Sequence, residues 1–356
     1  QAWGACPYPS MIKHLKNGDM LVLDLYSENR PQWGNSESTW YRKEGFNGHD
    51  WAFCMLLNFG GNVGMFGKLQ HVVDEYYKAR CSSFKSTMKG VGLTMEGIEN
   101  NPVMYELVSE LPWRDAKFSW KEWLHDYVEA RYGNINNAKV HDAWLLLARS
   151  VYGAGAKIVE QGCHESVLCA RPALDVYQVS SWSEMEEFYN PDDVIRAARL
   201  MVEASHEVKA NDNFRYDLVD VTRQAIAEQA RYVYDEIVAA YKAKDRKMFD
   251  YTTKRFLDIL LQQDRLLSSM PDFMVGGWIR SARNLGQNEQ ERNHYEWNAR
   301  VQITTWGNRS AAESGGLREY AHKEWNGVLA DFYYPRWKAY FEALAATLDG
   351  KPMKQL

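Results

Sequence analysis

Glu96 is the side chain most suggestive of chemistry in this sequence. It lies in KGVGLTMEGIENNP, residues 89–102, where an apolar, Gly-spaced run delivers a carboxylate between Met95 and Gly97 before Asn100, Asn101 and Pro102 open a helix. A carboxylate at the C-terminal tip of a buried strand does little for a core, and that tip is where parallel-barrel enzymes keep their catalytic groups. A polar strand-to-helix junction satisfied by backbone donors fits the same motif equally well when it is taken alone. Glu99, three residues on, falls in the following turn and reads as a helix-start charge.

Other chemistries find little support. The five cysteines, Cys6, Cys54, Cys81, Cys163 and Cys169, are odd in number and irregular in spacing, which argues against a disulfide framework and a zinc module. Cys163, His164 and Cys169 lack the usual ligand spacing and no HExxH occurs, so no metal or other cofactor is called for. GGNVGMFG, residues 60–67, has no Lys-Ser/Thr ending and reads as a barrel-loop turn instead of a phosphate cradle. With 42 basic and 47 acidic side chains the net charge of −5 implies no general polyanion surface, hence no nucleic-acid partner. Fourteen Trp and 21 Tyr suit stacking on sugar rings, but most are expected to fill cores. No run of about eighteen apolar residues is present, so no membrane span is expected. The opening QAWGACPYPS has neither an initiator Met nor a basic leader, and reads as the continuation of an upstream polypeptide.

The elements that must position Glu96 fall in two parts. MLVLDLY (20–26) and WAFCMLLNF (51–59) read as buried strands with polar tips, Asp24 and Glu28 for the first and Asn58 for the second, separated by a polar loop over 29–50 and followed by a helix around 68–80. Strands that alternate with loops and helices point to a parallel sheet or barrel, so residues 1–101 are assigned to the C-terminal part of a (β/α)8-type barrel. Residues 102–356 read as an all-α domain of eight to ten helices. Ser119 with Glu122 makes a capping box, Gly133 a stop, and Asn190-Pro191 a start. A long helix over 212–245 carries a stripe of Val219, Ile226, Ala230, Val233 and Ile237, and further helices are predicted over 250–269 and 317–348. A barrel closes with eight strands and this chain supplies about three or four, so the remaining strands and their edge pairing must come from upstream.

In its strings LVLDLYSE, CMLLNFGGNVGMFG, MEGIENN, FRYDLVDVTRQA, NARVQITTWG and YYPRWKAYFEAL the chain resembles the α-N-acetylglucosaminidases, glycoside hydrolase family 89, over essentially its whole length. The resemblance implies a retaining exo-glycosidase with a small N-terminal domain, a central barrel and an all-α C-terminal domain packed beside the active site. It maps the nucleophile onto Glu96 and the acid/base glutamate upstream of Gln1. It also implies sugar-pocket roles for Trp3, Asp24 and Asn58, and closure of the pocket by Trp306 and Tyr320 from the helical part. Each has a plainer role to set beside it: core aromatics for Trp3 and Trp306, a structural acceptor for Asp24, an interface residue for Tyr320. Thr94-Met95 stands where many members have a cap residue or Pro, and the 29–50 loop is longer than the resemblance suggests.

The leading reading is hydrolysis of terminal, non-reducing α-linked N-acetylglucosamine from a glycan, through a covalent intermediate on Glu96. The runner-up is a non-catalytic glycan-binding or structural fragment, because one of the two catalytic carboxylates is missing; another α-glycosidase specificity on the same architecture is the third. Heparan-type and mucin-type aglycones fit equally. One Asn-x-Ser sequon, at Asn308, and few cysteines suggest a periplasmic or secreted bacterial protein, with a lysosomal location expected in a eukaryote.

Overall fold

The computed structural model describes residues 1–3, 14–35, 46–57, 59–61, 63–97, 100–157, 165–183, 187–208, 211–314 and 316–353. Asn58, Glu99, Cys6, Cys163, His164 and the 36–45 part of the long loop lie outside them. Cys54, Cys81 and Cys169 are free thiols.

Three strands form a parallel sheet in the order β1 (Leu21–Asp24), β2 (Asp50–Met55), β3 (Met88–Leu93). Leu21 stands opposite Asp50, and Phe53 is paired with both Asp24 and Val91. Helix α1 (Leu69–Arg80) makes the crossover from β2 to β3, the connection that parallel neighbours require. Strand β2 is buried from Trp51 to Met55, which is why its sequence is continuously apolar instead of alternating. Strand β3 differs from the sequence expectation of a buried strand: no residue in it is fully buried and Leu93 is exposed. It is the outer strand of the described sheet, paired along one edge only. At the other edge Ala2 begins a further parallel pairing, donating to the Leu23 carbonyl (2.7 Å) and accepting from Leu25 N (3.1 Å).

Ten α-helices follow among the described residues: α2 (Pro102–Glu110), α3 (Trp120–Tyr132), α4 (Ala138–Arg149), α5 (Pro191–Ala204), α6 (Asp212–Lys242), α7 (Arg246–Leu267), α8 (Val275–Arg283), α9 (Glu289–Gln302), α10 (Arg309–Ser314) and α11 (Tyr334–Leu348). Their starts are written in the sequence. Ser119, Asn137, Asn190, Asn211, Asp245 and Asn288 each accept a hydrogen bond from a backbone N–H of the first turn. Gly133 ends α3 in the left-handed conformation (φ 79°).

Two expectations are corrected. The helix expected over 317–348 begins only at a π-helical turn, Leu329–Tyr333, which runs into α11. Upstream, Asn326 bridges Met274 and Gly327 takes φ 86°, so the chain there is committed to a turn. In α6, Val219, Ala230, Val233 and Ile237 are buried but Ile226 is only partly so; Arg223 and Gln224 are buried instead. The inward-facing arginine is neutralised by Asp220 (2.7 Å) and Glu324 (2.8 Å), the pairing a buried guanidinium needs.

One core runs from the sheet through α1 to α5, with Trp51, Phe53, Tyr76, Leu107, Trp144 and Met201 among its members. A second joins α6, α7 and α11 through Val233, Phe249, Phe256, Trp337 and Phe341. Helix α6, 31 residues long, contributes to both and links them.

Candidate active site

Glu96 lies three residues beyond the end of β3, exposed, where the turns after β2 and β3 meet a segment of the helical part. Its Oε2 accepts from Gly60 N–H (2.7 Å) and from the Tyr320 hydroxyl (2.6 Å). Both donors converge on one carboxylate oxygen, leaving Oε1 without a bond from either. Burial and the adjacent Glu96 carboxylate push the Tyr320 phenol far above its ordinary range, so it remains a donor at any physiological pH.

The GGNVGMFG turn supplies the first donor, a role invisible in its sequence. Gly60 has φ 65°, and a Cβ there would sit 1.9 Å from the Tyr320 carbonyl oxygen, a backbone atom with nowhere to move. The next carbonyl, that of Gly61, accepts from the Lys323 ammonium, whose cation also lies 5.2 Å from the Trp325 ring centre. Behind this turn, Asn100 and Asn101 each donate a side-chain amide to the Gly64 carbonyl (3.2 and 3.3 Å), and Asn101 Oδ1 accepts from Phe66 N–H (3.1 Å) and the Tyr152 hydroxyl (3.1 Å). Asn101 takes a left-handed conformation (φ 55°) and does not cap α2. The Asn-Asn-Pro sequence thus starts a helix and, with its amides, holds the glycine turn against the turn that carries Glu96.

Tyr320 is fixed from its own side. Glu319, fully buried, is paired with Arg336 (3.2 Å) and Arg171 (3.5 Å). Lys323 N–H donates to the Ile303 carbonyl (3.1 Å), tying this segment to the end of α9. The Trp306 ring meets that of Tyr320 edge-on at 5.3 Å, and Trp306 itself is held at φ 68°, a backbone conformation costly for an aromatic residue and typical of a constrained site.

Trp3 stands about half exposed, stacked on Tyr26 (5.9 Å) and tilted against Phe59 (5.9 Å). Tyr26, Leu56 and Phe59 form a small apolar cluster on which Tyr320 also packs. The structure therefore brings Glu96 and Tyr320 together directly, Trp306 to them through the Tyr320 ring, and Trp3 to the same aromatic cluster through Phe59, the neighbour of Gly60. Sequence reading missed Gly60, Tyr26 and Phe59; the Gly60-Gly61 pair signals a turn but not the donor it supplies. Asn58 lies outside the described residues.

Asp24 is bonded to a different segment. It is fully buried, and its Oδ2 accepts from the backbone N–H of Gln32 (2.9 Å) and Trp33 (3.0 Å), anchoring the long loop after β1. Burial pushes its carboxyl up to about 7 despite those donors. Glu28 is buried as well, well above the ordinary carboxylate range; its Oε1 accepts from Leu56 N–H (2.9 Å), and it borders an internal cavity of about 10 Å³ with Lys68 and Tyr26.

Residues 1–115 match the family model of the α-N-acetylglucosaminidase TIM-barrel domain, and residues 123–355 that of the α-N-acetylglucosaminidase C-terminal domain. Human alpha-N-acetylglucosaminidase is 35% identical over 358 residues, covering 100% of this chain and 45% of the human protein. A family 89 glycoside hydrolase from Clostridium perfringens, solved in complex with its substrate GlcNAc-alpha-1,4-galactose, is 31% identical with a TM-score of 0.90 over 99% of this chain and 39% of that one. The same enzyme in complex with PUGNAc gives a TM-score of 0.90 over 100% and 39%. The chain spans less than half the length of these relatives. With both domain models matched in order along it, the chain belongs to the α-N-acetylglucosaminidase family, glycoside hydrolase family 89.

Proposed function

We propose that this chain is the late-barrel and helical part of a retaining exo-glycosidase that removes terminal, non-reducing α-linked N-acetylglucosamine from glycans, with Glu96 as the nucleophile. Residues 1–101 supply the last barrel strands and residues 102–356 the helical wall, while the acid/base glutamate stands on polypeptide upstream. The observation that carries this reading is the Glu96 carboxylate, held on one oxygen by a donor from the barrel turn and a donor from the helical part. Two fixed donors on Oε2 orient the carboxylate, and Oε1 is the atom that attacks the anomeric carbon.

In the first step the Glu96 Oε1–anomeric carbon bond forms while the bond to the aglycone oxygen breaks, the upstream glutamic acid protonating the leaving oxygen. Water, deprotonated by that same residue, then cleaves the glycosyl ester. Retaining enzymes hold the two carboxyl groups about 5–5.5 Å apart, so the upstream residue belongs opposite Oε1. Trp3, Asn58, Trp306 and Tyr320 line the pocket for the terminal sugar. Asp24 acts behind them, through the loop it anchors. Closure by Trp306 and Tyr320 makes the site a pocket that admits one sugar, which is what exo action requires. An exported location, periplasmic or secreted in a bacterium and lysosomal in a eukaryote, goes with this activity.

The test uses the complete gene product. Glu96→Gln is expected to lower turnover of an aryl α-N-acetylglucosaminide by roughly 10⁴-fold with unchanged thermal unfolding. Glu96→Gly with added azide is expected to return a glycosyl azide of inverted configuration. Wild-type turnover in either variant overturns the assignment.

A further inference from the structure

The geometry points to a zinc site formed by His125, Glu129 and His141, which staples α3 to α4 away from the elements that carry Glu96. His125 and Glu129 are four residues apart on α3 and therefore share one face of it. His141 comes from the first turn of α4. The potential ligand atoms of all three lie within 4.8 Å of one another. Two imidazole nitrogens and a carboxylate, completed by water, are a donor set that zinc takes readily.

The surrounding structure prepares these side chains. His141 Nε2 is 2.5 Å from Glu129 Oε1, and the imidazole rings of His125 and His141 are stacked at 4.5 Å with 14° between their planes. Asn136 N–H lies 3.2 and 3.3 Å from the two Glu129 oxygens, and Asp126 Oδ1 lies 3.7 Å from His125 Nδ1. A backbone donor on the ligating carboxylate is an outer partner that zinc ligands commonly have. The link between the helices is itself set by left-handed residues at Gly133, Asn134 and Asn136, so little ordering remains for an ion to impose.

Tetrahedral zinc, with bonds of about 2.0–2.2 Å, spaces its ligand atoms about 3.3–3.5 Å apart. The His141–Glu129 contact, 2.5 Å, is shorter than that spacing, and all three ligand atoms lie within 4.8 Å of one another. Binding therefore opens the His141–Glu129 contact slightly and turns the His125 ring out of the stack. His125 is exposed and free to make that turn, and its exposure is also the entry path for the ion.

The test is zinc titration of the chelator-stripped complete gene product by calorimetry, with cobalt(II) absorption as a second readout. One zinc per chain is expected that His125→Ala and His141→Ala each weaken by roughly 100-fold, and Glu129→Gln by roughly tenfold. Zinc should raise the unfolding temperature of the parent and leave that of His125→Ala unmoved. Because His125 is exposed, His125→Ala folds normally and carries the test even if His141→Ala does not fold. Equal zinc affinity and stoichiometry in the parent and His125→Ala, or no zinc bound by the parent, would overturn the site. Neither outcome touches the assignment of Glu96.

Discussion

The helical part of the chain and its parallel sheet bury their surfaces in different ways. Around α11, Trp337 is fully buried, packs on Phe256 (4.9 Å) and Tyr234 (5.9 Å), and donates its indole N–H to the Leu168 carbonyl (3.1 Å). Each helix there closes its own backbone hydrogen bonds and many cap their own starts, so the core is complete within the chain. In the sheet only β2 reaches that state. Strand β3 is half exposed, and Leu21 and Leu93 leave 54% and 37% of their surfaces open, more than apolar strand residues tolerate inside a barrel. The difference is one of where backbone bonds end: a helix satisfies itself, a strand needs neighbours on both sides. Glu96 sits on the seam, taking one donor from each part.

The largest effect should come from supplying or withholding those neighbours. Expressed alone, residues 1–356 are expected to be inactive or aggregated, while the complete gene product turns over an aryl α-N-acetylglucosaminide. A soluble, fully active monomer of these residues would break the comparison and place an acid within the chain, with Glu28 and Asp24 the first to test.

Next in size is the seam itself. Gly60→Ala puts a Cβ where the Tyr320 carbonyl stands, so either the turn or the Tyr320 segment must give way and Glu96 loses a donor. A fall in kcat of roughly 10- to 100-fold is expected in the complete gene product, with far smaller change in KM. Tyr320→Phe should cost a similar amount, and the two substitutions together less than their product, because both act on one carboxylate oxygen. Independent, multiplying effects would show that the two donors do not act through Glu96.

How much of this could be read in the sequence follows the same division. The caps at Ser119, Asn190 and Gly133 were legible because helix ends are local and use side-chain chemistry that recurs. The strands were legible as apolar runs, but the openness of β3 was not, since burial on its outer face depends on what covers it. Glu96 stood out by its place after a strand, and Tyr320 and Trp306 entered through family resemblance. Gly60 as a donor to Glu96 could not be seen, because the bond links residues 36 apart through a backbone N–H that has no sequence signature. Asp24 looked like a barrel-mouth acid; only the structure shows one of its oxygens accepting from the loop after β1.

That burial gives the third prediction. The Asp24 carboxyl is raised from 3.8 to about 7, so the folded state holds a proton that the unfolded state has already released over this range. Stability contributed by protonated Asp24 is therefore full below about pH 4 and lost as the pH rises to 7, flattening above it. Asp24→Asn keeps an acceptor for Gln32 and Trp33 without the charge, and should gain on the order of 4 kcal/mol over the parent between pH 4 and pH 8. Denaturant unfolding at the two pH values measures it. An unchanged difference between parent and variant would mean that Asp24 is ionised and compensated in the folded state.

The smallest effect is expected at the start of α3, where the helical part needs least from outside. The Ser119 side chain accepts from Lys121 N–H at 3.3 Å, a long bond at an exposed position, so Ser119→Ala should cost at the low end of the range for caps, about 0.5–1 kcal/mol. Because Ser119 is remote in bonding from the Glu96 group, kcat and KM should stay at parental values while the unfolding temperature falls by a few degrees. If helix ends are self-sufficient, the loss should be the same in a helical fragment beginning before Ser119 as in the complete gene product. A loss that grows severalfold in the larger protein would show that α3 is held by the barrel it packs against, and that the two parts are less separate in their energetics than in their hydrogen bonding.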